Sequence, residues 1–217
     1  KKHKKIVFVG KLRPSKEYDI YRDAIIRILN EFKEWKAFSI GDEKRNKPII
    51  DHQNHYELGY LTHKEVLKFL NRSEIAVVPS RWEEPFGRTA LESSSRGCAT
   101  IISNRGGLPE TTDNCIILKK LNSNELYKEI KKLILNKKYR NKVQNDGFNN
   151  IKHLTKENSL IIDAIRESLI NKFKLNFIKN KLRIVNIYNL GQKLNHRLYN
   201  ISLGKKFTNG FIRNNHD

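Results

Sequence analysis

Methionine is absent from all 217 residues. A translated chain ordinarily starts with one, so its absence predicts a piece of a longer protein or a trimmed chain. Cysteine is scarce too: Cys98 and Cys115 are the only two, both in apolar surroundings. Such spacing predicts buried thiols rather than a disulfide scaffold and fits a reducing compartment. No apolar run reaches the ~18 residues of a membrane helix, and no signal peptide is visible. The seven histidines show no metal-ligand spacing; His52 and His55 lie three apart without a convincing partner set. No Gly-x-Gly-x-x-Gly follows the first predicted strand, and no Gly-Lys-Ser/Thr phosphate loop occurs anywhere, which argues against the common dinucleotide and triphosphate fingerprints.

Acidic residues are few. Twenty-three Asp and Glu face 43 Lys and Arg, for a net charge of +20. That balance suits nucleic acid, an anionic membrane surface or an anionic substrate. The excess is uneven: residues 171–217 carry +9 of it. In that tail Leu175, Ile178, Leu182 and Val185, then Ile187, Leu190, Leu194 and Leu198, recur at helical spacing, with Lys172, Lys174, Lys179, Lys181 and Arg183 around the first stripe. A basic amphipathic helix of this kind can lie on an anionic membrane, pack on a further domain, or form a loosely ordered tail.

Apolar residues are only 38% of the chain but cluster in short β-branched runs. Strands are predicted over 6–9, 37–40, 56–60, 75–78, 99–102 and 115–118. Helices are predicted over 18–32, 63–71, 87–97, 123–135, 137–148 and 157–170, with Thr62 and Glu65 as a capping box. Residues 42–55 read as a loop, and a turn spans Asn104 to Pro109. Strands alternating with helices imply a doubly wound parallel α/β sheet. Ligands in such sheets bind at the strands' carboxyl ends. Gly10-Lys11, Gly41, Gly59-Tyr60, Glu84 and Gly106-Gly107 all follow predicted strands and therefore converge on one edge.

The most informative stretch is Pro79 to Glu92, PSRWEEPFGRTALE. It reads as the end of a buried strand, a Pro-Phe-Gly turn and a helix start. A helix N-terminus offers unpaired N–H groups and partial positive charge, which suit a phosphate. Carboxylates favour sugar hydroxyls instead, and Glu84 and Glu92 stand on either side of that helix start. A ligand with a central phosphate and hydroxylated groups on both sides, such as a nucleotide sugar, fits the pattern.

Glu84-Pro85-Phe86-Gly87 with Glu92 resembles the Glu-x7-Glu signature of retaining GT-B glycosyltransferases of the family 4 type (glycosyltransferase group 1). Gly97 to Ile102 and Gly106-Gly107-Leu108-Pro109-Glu110 follow at that family's spacing. Phe8 to Lys16 resembles its Gly-Arg-Leu-x3-Lys segment, with Lys11 where Arg is usual and Glu17 where Gly is common. The resemblance covers roughly residues 5–170, the C-terminal, donor-binding half of a two-domain enzyme. It implies a Rossmann-like domain over 1–170, a basic helical tail over 171–217, and an acceptor-binding N-terminal domain outside this chain.

The resemblance implies catalytic roles for Lys11, Lys16 and Glu84: the two lysines on the diphosphate, Glu84 on the transferred sugar. Lys at position 11 keeps the charge of Arg but loses its planar fork. It implies donor binding by Gly10, Tyr60, Leu61, Phe86, Gly87, Arg88, Glu92 and Gly107, with Glu92 on the ribose and Tyr60-Leu61 near the base. Glu110 accompanies the Gly106-Gly107 turn either as a ligand or as part of an ordinary loop. Glu83 reads as a solvated neighbour. The expected activity is sugar transfer, with retention, to a hydroxyl of a glycan or lipid-linked glycan. No cofactor or obligatory metal is expected, since the lysines and the helix N-terminus take the cation's role. Nucleic acid is not an expected partner; the cytoplasmic side, with peripheral contact at the inner membrane face through the tail, is the expected location. Two other classes fit less of the pattern: another GT-B nucleotide-sugar enzyme such as an epimerase or phosphorylase, and a non-enzymatic basic module that binds membrane or nucleic acid through its tail.

Overall fold

The computed structural model describes residues 2–44, 47–112, 114–151 and 156–172. Six strands form one sheet: β1 (His3–Val9), β2 (Lys36–Ile40), β3 (His55–Glu57), β4 (Ser73–Val78), β5 (Ala99–Ser103) and β6 (Ile116–Leu118). Their spatial order is β3-β2-β1-β4-β5-β6, and every recorded pairing is parallel. This is a Rossmann-like sheet whose strand order reverses between β1 and β4.

Period-two alternation along the central strands builds both faces. Ile6 and Phe8 of β1 and Ile75 and Val77 of β4 join a core completed by α1 (Tyr18–Glu31) and α5 (Ser123–Leu135). Val7 and Ala76 turn the other way and pack with Val66 and Leu70 of α2 (His63–Asn71). Strands covered on both sides need no polar face, which is why the runs 6–9 and 75–78 are continuously apolar. Register is fixed by matched rows: Ile6 pairs with Ala37 on one side and with Ile75 on the other.

The remaining helices are α3 (Arg88–Ser95), α4 (Leu108–Thr111), α6 (Lys137–Asn149) and α7 (Lys156–Lys172). Thr62 and Glu65 form the expected capping box at α2. The chain divides into two compact units after Asn158. In α7, Leu160, Ile161, Ile162 and Ile165 are exposed. Among the described residues no helix is long and apolar enough to cross a membrane.

Two expectations are corrected. The strand predicted at 56–60 ends at Glu57, because Gly59 takes a left-handed conformation (φ +65°) and turns the chain out of the sheet. The turn predicted from Asn104 to Pro109 contains the start of α4, where Pro109 sits in the first turn and needs no N–H partner. The amphipathic stripes from Leu175 onward lie outside the described residues.

Candidate functional site

The loops that follow β1, β2, β3, β4 and β5 meet at the carboxyl edge of the sheet. The Gly10 N–H donates to Ile40 O at 2.9 Å, and the Gly41 N–H donates to Gly59 O at 2.8 Å. A Cβ on Gly41 would fall 1.9 Å from Gly10 O, so only glycine lets these loops touch. Next to them lies a cleft of about 350 Å³ lined by residues that include Gly10, Lys16, Glu84, Phe86, Gly87, Arg88 and Leu108.

Gly87 is the N-cap of α3, with φ +70°. A Cβ there would meet Leu108 Cδ2 at 2.5 Å. The first turn of α3 is thus pressed against α4, and its N–H end opens into the cleft. Lys16 enters from the opposite wall, on a 3-10 turn (Pro14–Lys16). Its ammonium forms an ion pair with Glu84, which also accepts from the Ser80 hydroxyl at 3.1 Å. Burial, helped by the Arg13 charge, lowers the Lys16 pKa. A half-buried ammonium beside helix N–H groups attracts a doubly charged phosphate more strongly than a surface lysine does.

Glu92 stands on the second turn of α3. It is paired with His63 Nε2 at 3.0 Å and with Arg88 at 3.4 Å. All three border a second, more apolar hollow of about 390 Å³ with Leu67 and Leu91, and Phe86 and Arg88 line both hollows. The two are therefore neighbours across one aromatic ring and one guanidinium.

Other predicted residues are placed differently. Lys11 pairs with Asp42 at 2.7 Å on the surface and does not line the cleft. The bond from Lys11 holds the Asp42 carboxyl below its usual range. Tyr60 is 78% exposed and lines neither hollow, while Leu61 packs against the core around Val66. The Gly107 N–H is bonded to Glu84 O at 2.7 Å, so this glycine ties two loops together.

Several contributing residues had no clear signal in the sequence. Glu83, expected as a solvated neighbour, is exposed but accepts from the Gly106 N–H and from Arg105. Thr111 donates to Phe86 O and Gly107 O. Arg81 bridges to the first loop through Pro14 O, Glu17 and Asp19. Of these, the sequence singles out Glu83, as a solvated neighbour, and Glu17, as a charged residue where glycine is common. Among the described residues no cluster of three His, Cys, Asp or Glu could hold a metal ion.

Comparison with known proteins agrees with this geometry. The family described as "Glycosyl transferases group 1" matches residues 1–150. An uncharacterized glycosyltransferase of Methanocaldococcus jannaschii is 35% identical over 150 residues, covering 65% of this chain and 41% of that protein. A glycogen synthase of Mycobacterium tuberculosis is 46% identical over 57 residues, 26% of this chain and 14% of that protein. The chain spans less than half the length of the curated relatives it matches. Among solved structures, Anabaena HepE in complex with UDP-glucose has a TM-score of 0.65 at 17% identity, covering 78% of this chain and 49% of that one. The C-terminal domain of a group 1 glycosyl transferase, LpcC, from Francisella tularensis has a TM-score of 0.59 at 22% identity, covering 68% of this chain and 84% of that one. With the family matched over more than half its length, this chain belongs to the group 1 glycosyltransferases.

Proposed function

We propose that this domain binds a nucleoside diphosphate sugar, and that the whole protein transfers the sugar to a hydroxyl of a glycan or lipid-linked glycan. The observation that carries the reading is the meeting of Lys16, Glu84 and the N-terminus of α3 in one cleft. The diphosphate lies at the helix N-terminus beside Lys16, the sugar beside Glu84, and the nucleoside toward Glu92 in the adjoining hollow. When the bond from the sugar to the diphosphate breaks, its electron pair leaves with the phosphate oxygen. Lys16 and the helix N–H groups stabilise that charge more in the transition state than in the ground state.

Retention of configuration, a hexosyl donor and membership of the family 4 type rest on the Glu84-to-Glu92 signature and its resemblance. So does independence from metal, in which the lysine and the helix N-terminus act where a cation otherwise would. An N-terminal acceptor domain and contact of residues 171–217 with an anionic membrane complete the reading. HepE, whose fold is similar, was solved with UDP and with UDP-glucose, so uridine nucleotides are the first donors to test.

The test is calorimetric titration with UDP, GDP and ADP and their sugars, with and without a chelator. Saturable binding of one nucleotide, unchanged by chelation and weakened in both Lys16→Ala and Glu92→Ala, is the expected result. Binding that survives in both variants would mean the donor sits elsewhere.

A further inference from the structure

Glu17 is the most unusual residue near the cleft. It is fully buried, yet it is a carboxylate. It is also the only non-glycine among the described residues with positive φ, at +57°. Such a backbone is strained for a residue with a Cβ. Arg81 Nε forms an ion pair with Oε1 at 2.7 Å, but neither carboxylate oxygen has a hydrogen-bond partner among the described residues. The same guanidinium reaches Asp19 at 3.0 Å and Pro14 O at 2.6 Å. One arginine on the loop after β4 thus grips three points of the segment that carries Lys16. Glu84, the partner of Lys16, is three residues beyond that arginine.

We propose that Glu17 and Arg81 form a latch, a pair of positioning residues that holds the Glu84 loop against the Lys16 segment when Glu17 is ionised and loosens it when Glu17 is protonated. Burying a bare carboxylate is costly, and the structure keeps one here with an ion pair but no hydrogen bond to either oxygen. A merely structural anchor would be served by Asp19 and Pro14 O alone. Burial pushes the Glu17 pKa up to about 7, against the pull of Arg81; Asp19 on α1 raises it further and Arg105, from the loop after β5, opposes. The latch therefore changes state near neutral pH. Its effect on donor affinity rests on the donor-site reading; its effect on the loop does not.

The two tryptophans separate these effects. Trp82 is next to Arg81 and exposed, while Trp35 is buried in the core. In protein labelled with 5-fluorotryptophan, the Trp82 resonance should move with a midpoint near 7 in the wild type. It should stay flat in Glu17→Gln, and Arg81→Lys should shift the midpoint upward. UDP-glucose is the ligand of choice because its diphosphate does not titrate in this range. The ionised fraction of Glu17 falls about tenfold between pH 8 and pH 6, and the apparent affinity for UDP-glucose falls with it by about tenfold. Glu17→Gln removes that pH dependence, and any pH effect common to both proteins cancels in the comparison. A Trp82 signal that is flat in the wild type, or that still titrates in Glu17→Gln, overturns the latch. A latch that titrates in a protein that binds no sugar nucleotide supports the latch and overturns the donor-site reading.

Discussion

The Lys16 ammonium rests on the Glu84 carboxylate although 68 residues separate them in the chain. Both side chains are about three-quarters or more shielded from water, so each would be left partly desolvated without the other. A diphosphate that enters the cleft must draw Lys16 from Glu84 or share it.

Lys16→Met should therefore weaken nucleotide-sugar binding by about 10- to 100-fold, the scale of one lost charge-assisted bond. Glu84→Gln frees Lys16, so free UDP should bind as tightly as to the wild type or more tightly, while the sugar's contribution is lost. Melting the two single variants and the double variant closes a cycle, with an expected coupling of about 1 kcal/mol. Zero coupling would mean the pair is not formed in solution.

Gly106 lies beneath the Glu84 loop with φ +52°. A Cβ there would fall 2.4 Å from Glu84 O and 2.7 Å from Glu84 N, a clash with backbone that no side-chain rotation relieves. Gly106→Ala should cost about 2–4 kcal/mol in a denaturant melt, from overpacking and the left-handed backbone together. Gly59→Ala is the control. It has φ +65° but open space around it, so it should cost only about 1–2 kcal/mol from the backbone. Equal losses in the two variants would show that the Glu84 loop yields freely.

Much of this was legible in the sequence for a physical reason. The apolar runs at 75–78 and 99–102 and the Thr62-Glu65 box report local rules, period and capping, that tertiary contacts did not override. The Glu84-Pro85-Phe86-Gly87 turn was readable from its Pro and Gly and from the signature around it, and Gly87 is left-handed there at φ +70°. What was hidden depends on partners far along the chain. Nothing around Glu83 shows that it binds the Gly106 N–H. Lys11 looks equivalent to Lys16 in sequence, but it turns outward to Asp42. Tyr60 is an aromatic after a strand like any other until the Gly59 turn exposes it.

Cys98 is buried and its thiol donates to Leu70 O at 3.2 Å and Ser73 O at 3.4 Å. The Lys2 ammonium donates to the same Ser73 carbonyl at 2.7 Å and to Arg96 O at 2.8 Å. Burial pushes the Cys98 thiol up to about 11, although Lys2 pulls the other way. At pH 8 only about one Cys98 in a thousand is thiolate, and reactivity follows the thiolate. A thiol reagent should therefore label Cys115 in the native protein and reach Cys98 only after unfolding, as read by peptide mapping. Rapid native labelling of Cys98 would show that the wall formed by Leu70 and Ser73 opens.

Glu17 makes a prediction about stability that is opposite in sign to that of an ordinary carboxylate. Its pKa is raised from 4.5 to about 7 in the folded chain. Between those values the native state binds more protons than the unfolded state, so this residue's contribution to stability falls as pH rises. Glu17→Gln removes that loss. Relative to the wild type, the variant should gain about 1–3 kcal/mol on going from pH 5 to pH 8 in urea melts. Glu17→Gly should show the same pH-dependent gain and add about 1 kcal/mol at every pH, because glycine relieves the φ of +57°. A difference from the wild type that does not change with pH would mean that the Arg81 attraction outweighs the cost of burial. The carboxylate would then stay ionised across this range, and the grip on the Glu84 loop would be permanent.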